Sequence, residues 1–392
     1  MPSFNLLRSV RSGLAAVLAL VFSAQALAET AQPSLEQRVA ALEAVRMTGS
    51  VRLNYTVKDW DAAQTDRGGD FTFNQINLGV EAEHGGVRLS SQYRWYDNGN
   101  GAMVHHAYFA TDLNEATEVQ LGITKVPFGI LPYESRSYWG DAALYLGFND
   151  DYDSGIKLLN KSGNWDLQIA YFASGDAAPD DAQRFSFDVV SDSTDGGQQN
   201  QETHQFNLRA AYALNDNAEV GASLQMGGLY NETTGKMGNV AAGALHYTAT
   251  YGKFGVQSEV IRYSYNPENE DGVSDNTIQM GGFGATYMAA AQANLYVLNL
   301  SYDLPWTGGI VDMVQLFNDW NLMDKNNDSF RDSQINTLGL LVATGNLYTN
   351  FDITSARNVP FIGAGDYKTA FAEGDGKDGW QTFFNVQLGY YF

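Results

Sequence analysis

Beyond residue 46, apolar and polar positions along the chain alternate with a period of two. In VRLNYTVK, residues 51–58, every second side chain is apolar or aromatic, and those between are polar or charged. Largely the same alternation recurs in INLGVEAE, VRLSSQYRWY, WDLQIAYF and EVGASLQM. Such alternation is typical of β-strands that have one apolar and one polar face. The pattern therefore predicts a chain made of many strands in succession.

The connections between these predicted strands are alternately short and long. Short turns such as EHGG, KSGN and TGN separate pairs of strands that are joined to the next pair by long segments. Short and long connections alternate throughout if the strand-like segment 276–288 belongs to a long loop. The number of predicted barrel strands is then about sixteen. An even number of antiparallel strands, with turns at one end and loops at the other, is typical of transmembrane β-barrels.

A lipid environment explains this pattern, because only a helix or a closed sheet satisfies every backbone group there. Outward positions are then apolar and inward positions polar, so the mean hydropathy can be slightly negative, as it is here. A soluble β-sandwich, propeller or solenoid would also alternate, but its loops need not separate by length. We therefore predict an all-β fold, a closed antiparallel transmembrane β-barrel of about 16 strands over residues 47–392, with a short N-terminal helix.

The first 28 residues have the features of an export signal. Arg8 and Arg11 precede an apolar run, 13–28, that ends in Ala-Leu-Ala, the small-x-small pattern before a cleavage site. A membrane anchor is the alternative interpretation, but the run is short for one. We expect residues 1–28 to be removed as a signal peptide.

Residues 29–46 are expected to form a short periplasmic helix. Ser34 and Gln37 match a capping box. Leu35, Val39 and Leu42 have the spacing of a coiled-coil seam. About three helical turns are too few to be stable alone in water. The helix therefore either packs on the barrel or joins several copies, and we favour a small coiled coil between subunits.

Composition narrows the function further. The chain has no cysteine, which excludes disulfides, thiolate zinc sites and a cysteine nucleophile. Its net charge is −22 at pH 7, so it lacks the basic surface that nucleic-acid binding needs. We expect no cofactor and no nucleic-acid partner.

In architecture, the exported chain resembles the Gram-negative outer-membrane porins. It shares with them a signal peptide, about sixteen strands, a long loop after the fifth strand and a terminal aromatic residue. KVPFG, LEQRVAALEA and SYDLP also resemble the branch related to phosphate-selective porins. Those porins need a ladder of basic residues, whereas this chain has 23 lysines and arginines against 45 acidic residues. Phosphate selectivity is therefore not carried over.

The resemblance implies a place in the outer membrane of a Gram-negative bacterium, as a homotrimer in contact with lipopolysaccharide. It also implies that the terminal Phe392 is an assembly signal read by the barrel-assembly machinery, so that deleting it would impair insertion. In this family the loop after the fifth strand folds into the barrel and narrows the pore. The resemblance gives that role to residues 127–152.

Charged residues of this loop and of the polar strand faces are the candidate pore residues. They are Glu134, Arg136 and Asp141 in the loop, and Arg52, Arg88, Arg94, Lys125 and Arg209 on the wall. Loop carboxylates that face wall bases would create a transverse field, which low-dielectric walls focus. Each charge could instead be a solvated group without a specific role.

We predict a passive diffusion channel for small hydrophilic solutes or ions. Acidic residues cluster in the long loops, and a negative mouth attracts cations over about one Debye length. This predicts a weak cation preference. One alternative is a channel selective for sugars or organic acids, with loop aromatics such as Tyr133 and Phe148 as a stacking track.

An outer-membrane barrel enzyme is a further alternative. The sequence has no G-x-S-x-G motif, and alternation places His105 and His106 on opposite faces of one strand. No catalytic residue is therefore assigned.

The acidic stretch DKNND holds weak candidates for a cation site. Asp324, Asn326 and Asp328 alternate oxygen ligands, but the glycine and glutamate of an EF-hand loop are replaced by Ser329 and Ile335. A loose bridge to lipopolysaccharide is favoured, and no metal site is assigned.

Overall fold

The computed structural model describes Ser34 and residues 44–96, 101–175, 187–192, 197–306 and 308–392. Within these ranges the chain is almost entirely β-structure. The strands, in chain order, are β1 (Val45–Lys58), β2 (Asp70–His84), β3 (Val87–Tyr96), β4 (Gly101–Asn114), β5 (Thr117–Lys125), β6 (Tyr152–Ser162), β7 (Trp165–Ser174), β8 (Asp188–Val189), β9 (Asn200–Asn215), β10 (Ala218–Asn231), β11 (Met237–Tyr251), β12 (Phe254–Asn266), β13 (Thr277–Gly282), β14 (Ala285–Ala290), β15 (Gln292–Asp303), β16 (Met313–Lys325), β17 (Ser333–Thr344), β18 (Leu347–Arg357) and β19 (Gln381–Tyr391). A short helix, α1 (Ala62–Asp66), follows β1, and 3-10 turns lie at Tyr138–Gly140 and Leu144–Leu146.

All strands except β8, β13 and β14 form one closed antiparallel barrel of 16 strands. The barrel closes where β1 pairs with β19, from Ser50 opposite Tyr391 to Lys58 opposite Phe383. Phe392 extends this seam, since its N–H donates to the Gly49 carbonyl at 2.9 Å and its carbonyl accepts from the Gly49 N–H at 2.8 Å. The predicted all-β closed barrel of about 16 strands is confirmed.

The two faces of the strands differ as the alternation predicts. On β9, Phe206 and Leu208 point outward and are 58% and 43% exposed, whereas Gln205, Asn207 and Arg209 point inward and are buried. Because an outward apolar face has no partner within the barrel, it is suited to contact lipid.

The segment 276–288 is not part of the barrel. It forms the hairpin of β13 and β14, and β13 also pairs with β8 to complete a separate three-stranded sheet. This confirms that the segment is a structured part of a long loop. Long connections then alternate with short turns around most of the barrel. The β15–β16 connection, residues 304–312, is an exception, since it lies at the short-turn end but is longer than the β10–β11 connection, residues 232–236.

The small sheet contributes to an apolar core inside the barrel. Ile278, Met280 and Tyr287 are at most 1% exposed and pack with Tyr145, Leu146 and other buried residues of the loop after β5. Beside this packed interior, an open space lies next to β1, β2 and β19.

The predicted signal peptide lies outside the described residues. So does most of the predicted helix over 29–46, and its last two residues, Val45 and Arg46, already belong to β1. In the part of the chain that the structure describes, no helix is long and apolar enough to cross a membrane.

Candidate functional site

The connection between β5 and β6, residues 126–151, lies inside the barrel, and we call it the inner loop. The Gly129 N–H donates to Ser223 Oγ on β10 at 3.0 Å, and Asn299 on β15 donates to the Glu134 carbonyl at 2.5 Å. The N–H groups of Arg136 and Ser137 both donate to Asp319 Oδ2 on β16, at 2.8 and 2.9 Å. The inner loop is therefore fastened to the wall opposite its own strands.

Carboxyl groups are buried between the inner loop and that wall. Glu134, Glu259, Asp319 and Asp352 are at most 2% exposed. Burial, together with the nearby Asp141 and Glu259, raises the pKa of Glu134 well above its usual range. The predicted pore residue Glu134 thus faces other acids and does not oppose a basic wall.

Asp141 is buried as well. Its carboxylate accepts hydrogen bonds from the Leu144 N–H at 3.0 Å and from the Asn149 amide. Burial raises the pKa of Asp141 to about 6, although these hydrogen bonds oppose the rise. Asp141 therefore loses its charge on mild acidification.

Replacing Asp141 by asparagine is expected to stabilise the barrel at neutral pH and to flatten its pH dependence. With a folded pKa of about 6, the folded chain holds this proton over a window in which the unfolded carboxyl has released it. The unfolding free energy therefore falls as the pH rises from about 4 to about 6, by roughly 3 kcal/mol. Asn149 can turn its amide so that its Oδ1 accepts from the new NH₂ group.

Urea unfolding followed by tryptophan fluorescence at pH 4, 5, 6 and 7.5 measures this effect. The exposed Asp66→Asn is the matched control, because it removes the same charge from α1 without changing a buried group. Equal slopes of stability against pH in Asp141→Asn and in the unsubstituted chain would contradict the prediction.

A cavity of about 590 Å³ lies between the inner loop and the wall formed by β1, β2, β3, β18 and β19. Its basic lining residues are Arg52, Lys58, Arg94 and Arg136, and its acidic ones are Asp70, Asp141 and Asp150. Tyr133 from the inner loop and Tyr391 from β19 also line it. The open space is thus surrounded by charge and by aromatic rings.

Asp150 is the inner-loop carboxylate that faces the basic wall. It lies 3.1 Å from Lys125, 3.8 Å from Arg94 and 3.6 Å from His105. Burial alone would raise the pKa of Asp150, but Lys125, His105 and Arg94 outweigh burial and hold this pKa below its usual range. Asp150 is therefore charged and neutralised by its neighbours.

Arg52 has a different environment. Among the described residues no carboxylate lies within 4.0 Å of its guanidinium, which is 5.6 Å from the centre of the Tyr391 ring. Asp70, in contrast, accepts from Arg67 at 2.7 and 2.8 Å. Asp150 and Asp70 are both paired with bases, and Asp141 accepts hydrogen bonds from amide groups. The four basic lining residues outnumber the three acidic ones, so the cavity has an excess of positive charge.

The structure brings some predicted pore residues together and separates others. Arg52, Arg94 and Arg136 line the same cavity, and Lys125 adjoins it through Asp150. Arg88 instead pairs with Asp112 at 2.6 Å and Glu118 at 2.7 Å.

Arg209 lies behind the inner loop. It is 2% exposed, and it donates to the Gly129 carbonyl and to Glu219, both at 2.8 Å. Arg209 therefore supports the loop and does not line the cavity.

The expectation that His105 and His106 point to opposite faces is wrong. A β-bulge, in which Gln92 pairs with His106 and Tyr93 with Val104, leaves His105 as the extra residue. Their Nδ1 atoms lie 2.9 Å apart, and His106 Nε2 lies 3.1 Å from Ser90 Oγ. Neither histidine nor Ser90 is among the residues that line the cavity.

The weak metal candidates do not coincide with the carboxylate group that the structure assembles. Asn326 accepts from Asn294 at 3.4 Å, and Asn326 and Asp328 are exposed. Within the described residues, one group of three carboxylates comes within 4.8 Å, and it consists of Asp151, Asp153 and Asp188.

Sequence reasoning missed the residues that hold the inner loop. Asp319, Asn321 and Asn299 are polar side chains on the inward faces of β15 and β16. Asn321 accepts from the Ala142 N–H at 3.1 Å and donates to the Gly140 carbonyl at 2.6 Å. Their place on the inward strand faces could be read from the alternation of polar and apolar residues. Their hydrogen-bond partners could not, because those partners are backbone groups of a loop that is distant in the sequence.

Comparison with known proteins gives a match to solved structures alone. No protein-family model matches the chain, and no curated protein does. The outer membrane channel DcaP of Acinetobacter baumannii matches with a TM-score of 0.56 at 11% identity, covering 89% of this chain and 97% of that one. OmpF of Salmonella typhi, in a complex with daunomycin, matches with a TM-score of 0.55 at 12% identity, covering 89% and 97%.

A third match is an anion-selective porin from Comamonas acidovorans, with a TM-score of 0.54 at 16% identity, covering 89% of this chain and 99% of that one. At such identities a likeness concerns the fold. The predicted resemblance is confirmed at that level, and the chain has the 16-stranded barrel fold of the Gram-negative outer-membrane porins.

Proposed function

We propose that the protein is an outer-membrane porin, a passive diffusion channel for small hydrophilic solutes in a Gram-negative bacterium. The observation that carries this proposal is the polar, charged cavity between the inner loop and one side of a closed barrel. The outward apolar face supports a place in lipid, since lumen and lipid require opposite polarity on alternate residues. A catalytic role has less support, because the Ser90 and His106 pair does not line the cavity.

The cavity lining favours organic acids among the possible solutes. Arg52 has no carboxylate within 4.0 Å among the residues that the structure describes, whereas Asp70 and Asp150 are both paired with bases. Guanidinium groups bind carboxylates through two parallel hydrogen bonds, and this selects a planar anion. A narrow space with excess positive charge therefore passes small carboxylates more readily than cations of similar size.

The net charge of −22 acts in the opposite direction. Acidic long loops at the mouth attract cations, which is the basis of the predicted weak cation preference. Screening by salt weakens the field of exposed loop charges more than that of charges inside the barrel. We therefore expect any cation preference to be confined to low salt and the preference of the cavity to dominate at high salt.

Planar-bilayer recording of the purified protein tests this proposal. We expect stable conductance steps and, under a gradient of potassium acetate at high ionic strength, a reversal potential of the sign for anion preference. Liposome swelling with acetate, glucose and glycine then compares solute classes. Absence of conductance steps would overturn the proposal that the protein is a channel. A cation preference that persists at high salt would overturn the proposed preference for organic acids.

We also propose that the protein is a homotrimer that contacts lipopolysaccharide and is inserted by the barrel-assembly machinery. The coiled-coil spacing of Leu35, Val39 and Leu42 supports association of copies. The backbone pairing of Phe392 with Gly49 supports a part for the terminal residue in barrel closure.

A further inference from the structure

Five aromatic side chains surround the end of the cavity next to the long loops, and we call them the aromatic rim. They are Trp60, Trp139, Phe283, Phe361 and Phe383. Ring centres are 5.9 Å apart for Trp60 and Phe383, and 5.5 Å apart for Phe383 and Trp139. The chain of contacts continues at 5.8 Å to Phe283 and at 5.2 Å from there to Phe361. Rings from β19 and four different loops thus meet at one end of the cavity.

Two members of the aromatic rim hold strained backbone conformations. Phe283, at the tip of the β13–β14 hairpin, has φ of 53°, and Phe361 has φ of 65°. A bulky residue in this left-handed region costs about 1–3 kcal/mol, which glycine would avoid. Both rings also pack against the apolar core of the barrel, so packing is the competing explanation for them.

A cation lies beside the aromatic rim. Lys58, at the end of β1, lines the cavity, and its Nζ is 6.0 Å from the centre of the Trp60 ring. In the described part of the chain no carboxylate lies within 4.0 Å of this ammonium group. Asp70 lines the same cavity but is paired with Arg67 at 2.7 Å. The Lys58 ammonium is therefore available to an anion that enters between the rings.

We infer that the aromatic rim and Lys58 form an entrance subsite for aryl carboxylates, small acids with a carboxylate on an aromatic ring. The ring of the solute packs edge-to-face or offset against the aromatic rim, and its carboxylate pairs with the Lys58 ammonium. This inference rests on the proposed function, because the bound acid would proceed along the cavity toward Arg52.

The combination of groups selects this class. Lys58 alone would attract any small anion, and the rings alone would accept any planar apolar solute. A solute that satisfies both carries a carboxylate next to an aromatic ring. The cavity volume of about 590 Å³ exceeds that of a single-ring acid, so such a solute fits inside it.

Block of the single-channel current by benzoate tests the subsite. Cyclohexanecarboxylate, which has the charge without the aromatic ring, and benzyl alcohol, which has the ring without the charge, are the matched probes. We expect benzoate to bind most tightly. Lys58→Gln is expected to weaken benzoate binding about tenfold, since a charged hydrogen bond is lost. Phe361→Leu is expected to weaken benzoate but not cyclohexanecarboxylate.

Lys253→Gln, in the exposed turn between β11 and β12, is the control for loss of one positive charge. Equal affinity for benzoate and cyclohexanecarboxylate would overturn the inference, as would equal effects of Lys58→Gln and Lys253→Gln. In that case the aromatic rim only packs the loops. If only the subsite inference fails, the channel still gives stable conductance steps and an anion preference. If the proposed function fails, the conductance steps or the anion preference are missing.

Discussion

Replacing Asp319 by leucine is expected to release the central part of the inner loop and to give a larger, noisier single-channel current. Asp319 Oδ2 accepts the N–H groups of both Arg136 and Ser137, and the residue is fully buried. Leucine fills a similar volume but accepts no hydrogen bond. Two charge-assisted hydrogen bonds are lost, which destabilises the seated loop by about 3–6 kcal/mol. Since this stretch of the loop lines the cavity, its movement widens the path.

Asp319→Asn is the matched variant. The amide oxygen can still accept both N–H groups, and the NH₂ group takes the place of Oδ1, which has no hydrogen-bond partner in the described structure. Conductance and current noise should therefore stay near those of the unsubstituted channel. Gel mobility before and after heating reports whether each barrel is folded. A folded Asp319→Leu channel with unchanged current, or two variants that behave alike, would show that Asp319 does not hold the loop.

Arg52→Glu is expected to reverse the ion preference of the cavity. Arg52 and Lys58 are the basic cavity residues on β1, and Arg52 has no acidic partner within 4.0 Å in the described structure. A unit charge about 6 Å from a passing ion contributes roughly 0.7–3 kcal/mol at an effective dielectric constant between 80 and 20. The substitution changes the charge by two units, so the ratio of anion to cation permeability should fall by at least about tenfold.

Arg52→Gln should give an intermediate ratio, because it removes the charge without reversing it. Lys253→Glu makes the same two-unit change at an exposed turn and is expected to shift the reversal potential little. The measurement is the reversal potential in a salt gradient at high ionic strength. If Lys253→Glu and Arg52→Glu shift it equally, the effect belongs to the net charge of the molecule and not to the cavity.

The barrel could be predicted from the sequence because its signal is local. Each strand carries its own alternation, as in VRLNYTVK, and most turn and loop lengths can be read between neighbouring strands. The same comparison of connection lengths predicted that residues 276–288 lie outside the barrel, since a barrel strand there would have disturbed the order of turns and loops. The inward placement of Arg52, Arg94 and Arg209 followed from their positions in the alternating pattern alone.

The electrostatics of the interior could not be predicted in this way. The sequence pattern places Glu134 and Asp141 in a charged loop between two strands. It does not show that the Glu134 side chain turns toward Glu259 and away from the bases. The direction of a loop side chain depends on where the loop crosses the barrel, which is set by contacts between residues 180 positions apart or more, such as Ser137 and Asp319. The β-bulge opposite Gln92 likewise changed the side of the strand to which one of the two histidines points, which the alternation could not predict.

The place of the cavity has a consequence for biogenesis. The cavity lies against β1 and β19, the two strands whose pairing closes the barrel. The part of its wall that β1 and β19 supply is therefore complete only when these two strands pair. The enclosed cavity is thus formed at the step that closes the barrel.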